Sequence, residues 1–101
     1  MGVNIGNYSF DGPFSTADSL KAQSGVYSIL GRNNELERWN VVDVGESENV
    51  RDRVANHDRK DCWKRQGYRS LAVAALYCDE RTRMRIEQEL RAQFDPPCGD
   101  R

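Results

Sequence analysis

Five side chains of this sequence are of the types that act on an anionic ester: the phenol of Tyr27, the carboxylates of Asp43 and Glu87, the guanidinium of Arg53 and the imidazole of His57. A phosphodiester repels a nucleophile, so a guanidinium and a divalent cation must offset the charge that develops. One carboxylate can hold that cation, because Mg²⁺ keeps most of its waters. A phenol has a pKa of about 10, and a nearby cation favours its basic phenolate form. The set is typical of phosphodiester hydrolysis.

The elements that must position these side chains begin with two predicted strands and a helix. Residues 26–30 are β-prone, a polar turn follows, and residues 39–44 form a second strand, which most simply makes an antiparallel hairpin. Ser47 is a suitable N-cap for a helix over about residues 48–57. The phenol then lies on the first strand and the first carboxylate on the second.

Periodicity predicts which of these side chains face the core. On the helix, Val50, Val54 and His57 fall on one apolar stripe, and Arg53 lies on its flank, about 60° from the first valine. On the second strand, alternation places Asp43 opposite its two valine neighbours, which predicts an exposed carboxylate.

The second half of the chain adds one buried strand and one helix. Residues 71–78 are nearly all apolar, as in a strand that is buried on both faces at the centre of a sheet. Residues 80–94 form the strongest predicted helix, with Ile86 and Leu90 on its apolar stripe and two prolines beyond its end. Glu87 borders that stripe, where a carboxylate is partly desolvated and held in place.

The length of 101 residues predicts a single domain over residues 1–101. Residues 1–24 show no period and are expected to form an irregular lead-in with a short helix near residues 16–22. Residues 25–99 form the core in the order β-β-α-(α)-β-α. The fold class is therefore α/β (α+β), a small sheet with helices packed against it.

Composition limits the compartment and the partners. The net charge is −1, so the chain as a whole has no strong field to attract a polyanion. No stretch approaches the ~20 apolar residues of a membrane span and no secretory signal is recognised, so no membrane contact is expected. The cysteines are odd in number and lack C-x-x-C spacing, which predicts a reducing, cytoplasmic compartment and no disulfide framework. They are Cys62, Cys78 and Cys98.

A local basic face is predicted on this neutral domain, because residues 51–69 carry a net charge of +4. Trp63 and Tyr68 interleave with the cations and would allow bases to stack. A charged run of this kind is more often a solvated surface, so both interpretations stay open. The candidate nucleic-acid contacts are Arg51, Arg59, Lys60, Lys64, Arg65 and Arg69.

The order of these motifs resembles that of the GIY-YIG nuclease family. G-V-Y at residues 25–27 resembles the first half of the signature, and D-V-G at residues 43–45 occupies the second. N-V-x-x-R at residues 49–53, with a histidine four residues later, is similar to the helix motif of the family. E-x-x-L at residues 87–90 and the following prolines are similar to its final segment, with Gly99 where the family usually has Asn.

The resemblance implies a small three-stranded antiparallel sheet flanked by helices, and a metal-dependent endonuclease that hydrolyses phosphodiester bonds in DNA, with RNA left open. It implies that Tyr27 activates the attacking water, Arg53 holds the scissile phosphate and Glu87 binds Mg²⁺ or Mn²⁺. Asp43 and His57 complete the candidate catalytic set. Substrate selection would come from the basic segment, from a protein partner or from a homo-oligomer.

One departure from the family pattern leaves two outcomes open. Asp43 replaces the second signature tyrosine, and a carboxylate there would oppose a bound phosphate by ~1–4 kcal/mol at 4 Å. Asp43 could turn toward the metal and join Glu87 as a second ligand. Alternatively, the chain is a catalytically impaired module that keeps the fold and binds nucleic acid or a protein partner.

Each candidate residue also has a plainer structural interpretation. Tyr27 could be a half-buried strand aromatic and Arg53 a solvated helix arginine. His57 could be a structural histidine on the apolar stripe. Glu87 could pair with an arginine one turn away on its helix.

Overall fold

Five antiparallel strands form one sheet in the computed structural model, which describes residues 2–99, and three α-helices pack against it. The order across the sheet is β1-β2-β5-β3-β4. The strands are β1 (Gly2–Ile5), β2 (Tyr8–Phe14), β3 (Gly25–Arg32), β4 (Asn40–Ser47) and β5 (Ser70–Tyr77). The helices are α1 (Val50–Ala55), α2 (Lys60–Arg65) and α3 (Glu80–Phe94), and a short 3-10 helix spans Ala17–Ser19.

The predicted three-stranded sheet is wrong, because the expected lead-in supplies two further strands. β1 and β2 form an antiparallel hairpin, and β2 pairs with β5. The turn consists of Gly6 and Asn7, and the φ of +60° at Gly6 is one that glycine adopts without steric cost. Ile5 and Phe10 are 3% and 1% exposed, so the hairpin contributes to the core.

The central strands agree with the sequence-based prediction. β3 and β4 form the expected antiparallel hairpin. β5 lies in the middle of the sheet, between β2 and β3, as its apolar composition predicts for a strand buried on both faces.

The two faces of the sheet are covered by different helices. One face packs against α3 through a cluster that includes Val26, Leu30, Ile86 and Leu90. The other face packs against α1 and α2 through a cluster that includes Tyr27, Ile29, Val54 and Trp63. Successive residues of β3 alternate between these faces, so the candidate phenol belongs to the α1–α2 face.

Helix α3 has the predicted bounds, whereas α1 is shorter than predicted. The Asp79 side chain caps α3 by accepting from the backbone N–H of Thr82 at 2.9 Å. Asn49, rather than Ser47, caps α1, and His57 lies just after that helix. No helix within residues 2–99 is long and apolar enough to cross a membrane.

A bulge in β4 changes the relation of Asp43 to its valine neighbours. Asp43 pairs with Ile29 and Val41 with Leu30, so Val42 has no partner in the β3–β4 ladder. Val42 therefore packs in the cluster of the α1–α2 face, whereas Val44 packs in that of the α3 face. The prediction of an exposed carboxylate is wrong: Asp43 is 0% exposed, because helices cover both faces of the sheet.

The expectation of reduced cysteines is wrong for two of the three. Cys62 on α2 and Cys98 after α3 form a disulfide, although they lie 36 residues apart in the chain. Cys78 is a free, half-buried thiol. The three cysteines are therefore one disulfide pair and one free thiol.

Candidate active site

Tyr27 lies at the centre of the candidate site. β3 places its side chain on the α1–α2 face, where the residue is 1% exposed. Gly45 is its partner across the β3–β4 ladder, and a Cβ built on Gly45 would overlap the Tyr27 hydroxyl. The glycine of the D-V-G motif therefore provides the space in which the phenol oxygen lies.

His57 contacts the phenol directly. Its Nε2 atom lies 2.6 Å from the Tyr27 hydroxyl oxygen. Its Nδ1 atom accepts the backbone N–H of Arg59 at 3.0 Å, so Nδ1 carries no proton in the neutral ring. The proton of a neutral imidazole is then on Nε2, and His57 donates to the oxygen of Tyr27. A donor in that position favours the phenolate over the phenol.

Burial keeps both partners neutral at pH 7. Burial and the charge of Asp43 raise the pKa of Tyr27 to about 12, although Arg53 and Arg59 oppose that increase. Burial and the same two arginines lower the pKa of His57 to about 4. The imidazole is therefore a neutral donor at pH 7, and the phenol keeps its proton until further positive charge approaches.

Arg53 connects the buried pair with the surface. Its guanidinium lies near enough to Tyr27 to lower the pKa of the phenol by charge and by hydrogen bonding. Its Nη2 atom is 3.1 Å from a carboxylate oxygen of Asp58, and its side chain is 38% exposed. A phosphate that approaches from solvent would meet this guanidinium before the phenol.

Asp43 is the centre of a second polar cluster, which we call the Asp43 hub: Asp43, Arg59, Trp63 and Arg91. The Oδ2 atom accepts from Nε of Arg59 at 2.8 Å and from the indole N–H of Trp63 at 2.7 Å. The Oδ1 atom accepts from Nη2 of Arg91 at 2.7 Å and from the backbone N–H of Val44 at 2.8 Å. Both oxygens are engaged, so Asp43 is not arranged as a second metal ligand.

Glu87 joins the hub through α3. Arg91, one turn later on the helix, donates from Nε to Oε2 of Glu87 at 3.1 Å and from Nη2 to Asp43. The Glu87 side chain is 24% exposed, and within residues 2–99 its Oε1 atom has no hydrogen-bond donor. No group of three or more His, Cys, Asp and Glu residues within that range could hold a metal ion. Arg91 already pairs with Oε2 of Glu87, which leaves Oε1 for any further ligand.

The structure brings together four of the five predicted catalytic residues, Tyr27, Asp43, Arg53 and His57, through contacts and electrostatic coupling. Glu87 is linked to them through Arg91. Of the predicted nucleic-acid contacts, Arg59 is half-buried and bonded to Asp43. The exposed members of that set are Arg51, Lys60, Lys64, Arg65 and Arg69.

The sequence assigned Arg59 and Trp63 to nucleic-acid contacts and did not single out Arg91. Arg91 is 7% exposed. Gly99 packs against it at a φ of +124°, and a Cβ there would overlap the guanidinium. No sequence pattern distinguishes Arg91 from the other arginines of α3.

No protein-family model matches this chain, and no curated protein or solved structure matches it either. The resemblance to GIY-YIG nucleases therefore depends on the sequence motifs alone.

Proposed function

We propose that the chain is a GIY-YIG-type, metal-dependent endonuclease that hydrolyses phosphodiester bonds in DNA. The observation that carries the proposal is the 2.6 Å contact between Nε2 of His57 and the Tyr27 oxygen, beside the guanidinium of Arg53. The Nε2 donor and the charge of Arg53 both favour the phenolate, the form that takes a proton from water, against the burial and the Asp43 charge that raise the pKa of Tyr27.

In this proposal Tyr27 is the general base. Its pKa of about 12 is too high for that task at neutral pH in the free protein. The substrate complex must therefore bring positive charge near the phenol oxygen. Arg53 supplies part of it, and a Mg²⁺ or Mn²⁺ ion held by Glu87 would offset negative charge at the phosphate.

Arg53 is the residue that would bind the scissile phosphate. Its ion pair with Asp58 lies at the surface, where such pairs are weak and screened by salt. A phosphodiester can replace the carboxylate because a guanidinium binds both with the same planar donor geometry. The exchange would orient the phosphate toward Tyr27.

Asp43 has a positioning role in this account. It binds Arg59, whose backbone N–H fixes the tautomer of His57, and Arg91, which holds Glu87. The carboxylate in place of the second signature tyrosine thus connects the phenol side of the site to the metal side. Its charge is matched by two guanidinium groups, so it does not oppose a phosphate as an isolated carboxylate would.

The second candidate function is the catalytically impaired module that binds nucleic acid or a protein partner. The low exposure of Tyr27 favours it, because at 1% exposure the phenol meets little solvent in the free protein. Both candidates use the exposed cations of the 59–69 segment for binding, and a protein partner or a second copy of the chain could add selectivity. A cytoplasmic location with access to DNA belongs to the proposal. The cysteines do not argue for it, because two of them form a disulfide.

The test is nicking of supercoiled DNA with Mg²⁺ or Mn²⁺, with Glu87→Ala and Glu89→Ala compared as a matched pair. Glu89 lies on the same helix and is exposed. We expect loss of nicking in the Glu87 variant and none in the Glu89 variant. Cleavage that persists in Glu87→Ala would show a contaminating nuclease. Absence of cleavage by the natural protein would favour the binding module.

A further inference from the structure

Two adjoining hollows form one groove that begins beside the candidate active site. The first, of about 270 Å³, is lined by Val54 and Trp63. Val54 follows Arg53 in the chain, and the Trp63 ring lies 4.7 Å from that of His57 between centroids. The second hollow, of about 460 Å³, shares three lining residues with the first: Ser15, Leu71 and Ala72.

The far end of the groove combines cations with an aromatic ring. The guanidinium of Arg32 lies over Trp39, with its central carbon 4.0 Å from the ring centroid, and Arg69 is exposed beside them. Neither arginine forms an ion pair with a carboxylate within residues 2–99. No Asp or Glu lines either hollow, although the chain has a net charge of −1. Arg32 donates from Nη1 to the backbone carbonyls of Glu35 and Glu37 at 3.5 Å, and these contacts leave its charge uncompensated. A half-buried guanidinium of this kind favours an anionic ligand.

We infer that this groove binds a single-stranded stretch of nucleic acid next to the phosphate that is cleaved. The cations, with Lys60 at the near end, are placed for the phosphates, and the half-buried side chains of Phe14, Trp39 and Leu71 are placed for the bases. A duplex keeps its bases stacked inside and could not use these side chains, whereas single-strand sites combine cations with apolar and aromatic surfaces. The position of the groove relative to the cleaved bond rests on the proposed function.

The N-terminal hairpin builds one wall of the groove. Pro13 and Phe14, at the end of β2, line the far hollow. Arg32 follows Tyr27 by five residues on β3, which corresponds to about 17 Å along the strand, and its side chain lies on the α3 face, over Trp39. The groove therefore turns around the end of the sheet, and it exists because the sheet has the two strands that the sequence did not predict.

Binding without metal tests this inference separately from cleavage. The ligand is fluorescein-labelled oligodeoxythymidine of about 12 nucleotides, within the ~4–16 that small single-strand sites cover. It is compared with a blunt duplex and with a strand of abasic sites of equal length. The protein variants are Arg69→Ala and, as a matched control, Arg81→Ala, since both arginines are exposed and Arg81 lies outside the groove on α3.

We expect Arg69→Ala to reduce the slope of log affinity against log salt by about 0.7, the value for one phosphate contact of a single strand, and Arg81→Ala to leave it unchanged. The abasic strand should bind at least about fivefold more weakly than oligodeoxythymidine, because stacking contributes that much per base. The duplex should bind more weakly than the single strand and should not respond to Arg69→Ala.

The outcomes separate this inference from the proposed function. If the natural protein does not nick DNA but shows the predicted single-strand binding, the endonuclease is wrong and the groove stands. If it nicks DNA but the two arginine variants bind alike, the groove is wrong and the endonuclease stands. Equal binding of the abasic strand, or no single-strand binding, overturns the inference and points instead to a surface for another polyanion, such as an acidic protein.

Discussion

The Asp43 hub and the Tyr27–His57 pair are both buried polar clusters, but their hydrogen bonding differs. The Asp43 oxygens accept from two arginines, an indole and a backbone N–H. The Tyr27 oxygen accepts from His57 and has the Arg53 guanidinium near it. The hub is a saturated ionic cluster, so it can only hold structure. The pair has a group whose protonation can change, so it is where chemistry can occur.

The largest expected effect is a loss of folding stability when the Asp43 hub is broken. Asp43→Ala removes the anion that compensates Arg91 and Arg59, and loss of one partner of a buried ionic cluster costs about 3–5 kcal/mol. Urea denaturation gives the free energy of unfolding. Asp11→Ala on β2 is the control, because Asp11 is exposed. Equal stability of the two variants would show that the hub is not structural.

Loss of the disulfide should destabilise the Asp43 hub more than the Tyr27–His57 pair. Cys98→Ser opens a loop of 36 residues, for which the chain-entropy model gives about 4 kcal/mol. The carbonyl of Cys98 also accepts from Nη1 of Arg91 at 3.5 Å. Opening the disulfide therefore weakens a contact that holds Arg91 in the hub. Cys78→Ser, the control, should change neither the urea midpoint nor its response to a reductant. A Cys98→Ser protein as stable as the natural one would contradict this account.

The pair should control stability at mildly acidic pH. The pKa of His57 is lowered to about 4 from about 6.5 in the unfolded chain, so the unfolded state binds the proton first. Stability is therefore complete above pH 6.5 and falls as the pH decreases toward 4, by on the order of 2–3 kcal/mol. His57 is the sole histidine, so one imidazole resonance reports the folded pKa. Titration near pH 6.5 in the folded protein would show that the pair is not desolvated.

His57→Gln is the control for this pH dependence. The slope of unfolding free energy between pH 6.5 and 5 should disappear in that variant, since few carboxyl groups titrate there. At alkaline pH the dependence has the opposite sign, and stability falls as the pH rises. The pKa of Tyr27 is raised to about 12, so its contribution is present below pH 10 and is lost as the pH rises toward 12. Tyr27→Phe should remove that loss.

The smallest expected effect lies at the edge of the pair. Asp58→Asn removes an exposed partner of Arg53 and should leave the urea midpoint unchanged, because exposed ion pairs stabilise little. The freed guanidinium should bind DNA more tightly, which fluorescence anisotropy measures. Asp61→Asn, an exposed neighbour on α2, controls for the lost negative charge. Equal gains in the two variants would show that Arg53 has no special role.

The sequence predicts the parts of the fold that have strong periodicity. The β3–β4 hairpin, the central strand β5 and the bounds of α3 follow from apolar patterns and stop signals. β1 and β2 were missed because glycine, asparagine and proline obscure their alternation. The two-residue Gly6-Asn7 turn was the available signal for a hairpin there.

The sequence singled out residues that the structure brings together, but it did not predict their contacts. His57 is buried, as its place on the apolar stripe predicts, although it lies just after α1 and not on it. Asp43 was predicted to be exposed because the sequence does not show that helices cover both faces of the sheet or that two arginines compensate a buried carboxylate. The burial of Arg59 and Arg91 could not be predicted either. An arginine becomes a core residue only when a buried carboxylate compensates its charge.

The most direct test of the central claim is the rate at which Tyr27→Phe nicks supercoiled DNA with Mg²⁺ or Mn²⁺, relative to the natural protein. A phenylalanine keeps the packed ring and removes the oxygen that His57 bonds. If Tyr27 is the general base, the rate should fall by about 100-fold or more while the protein stays folded. An unchanged rate, in a preparation in which Glu87→Ala is inactive, would contradict the account.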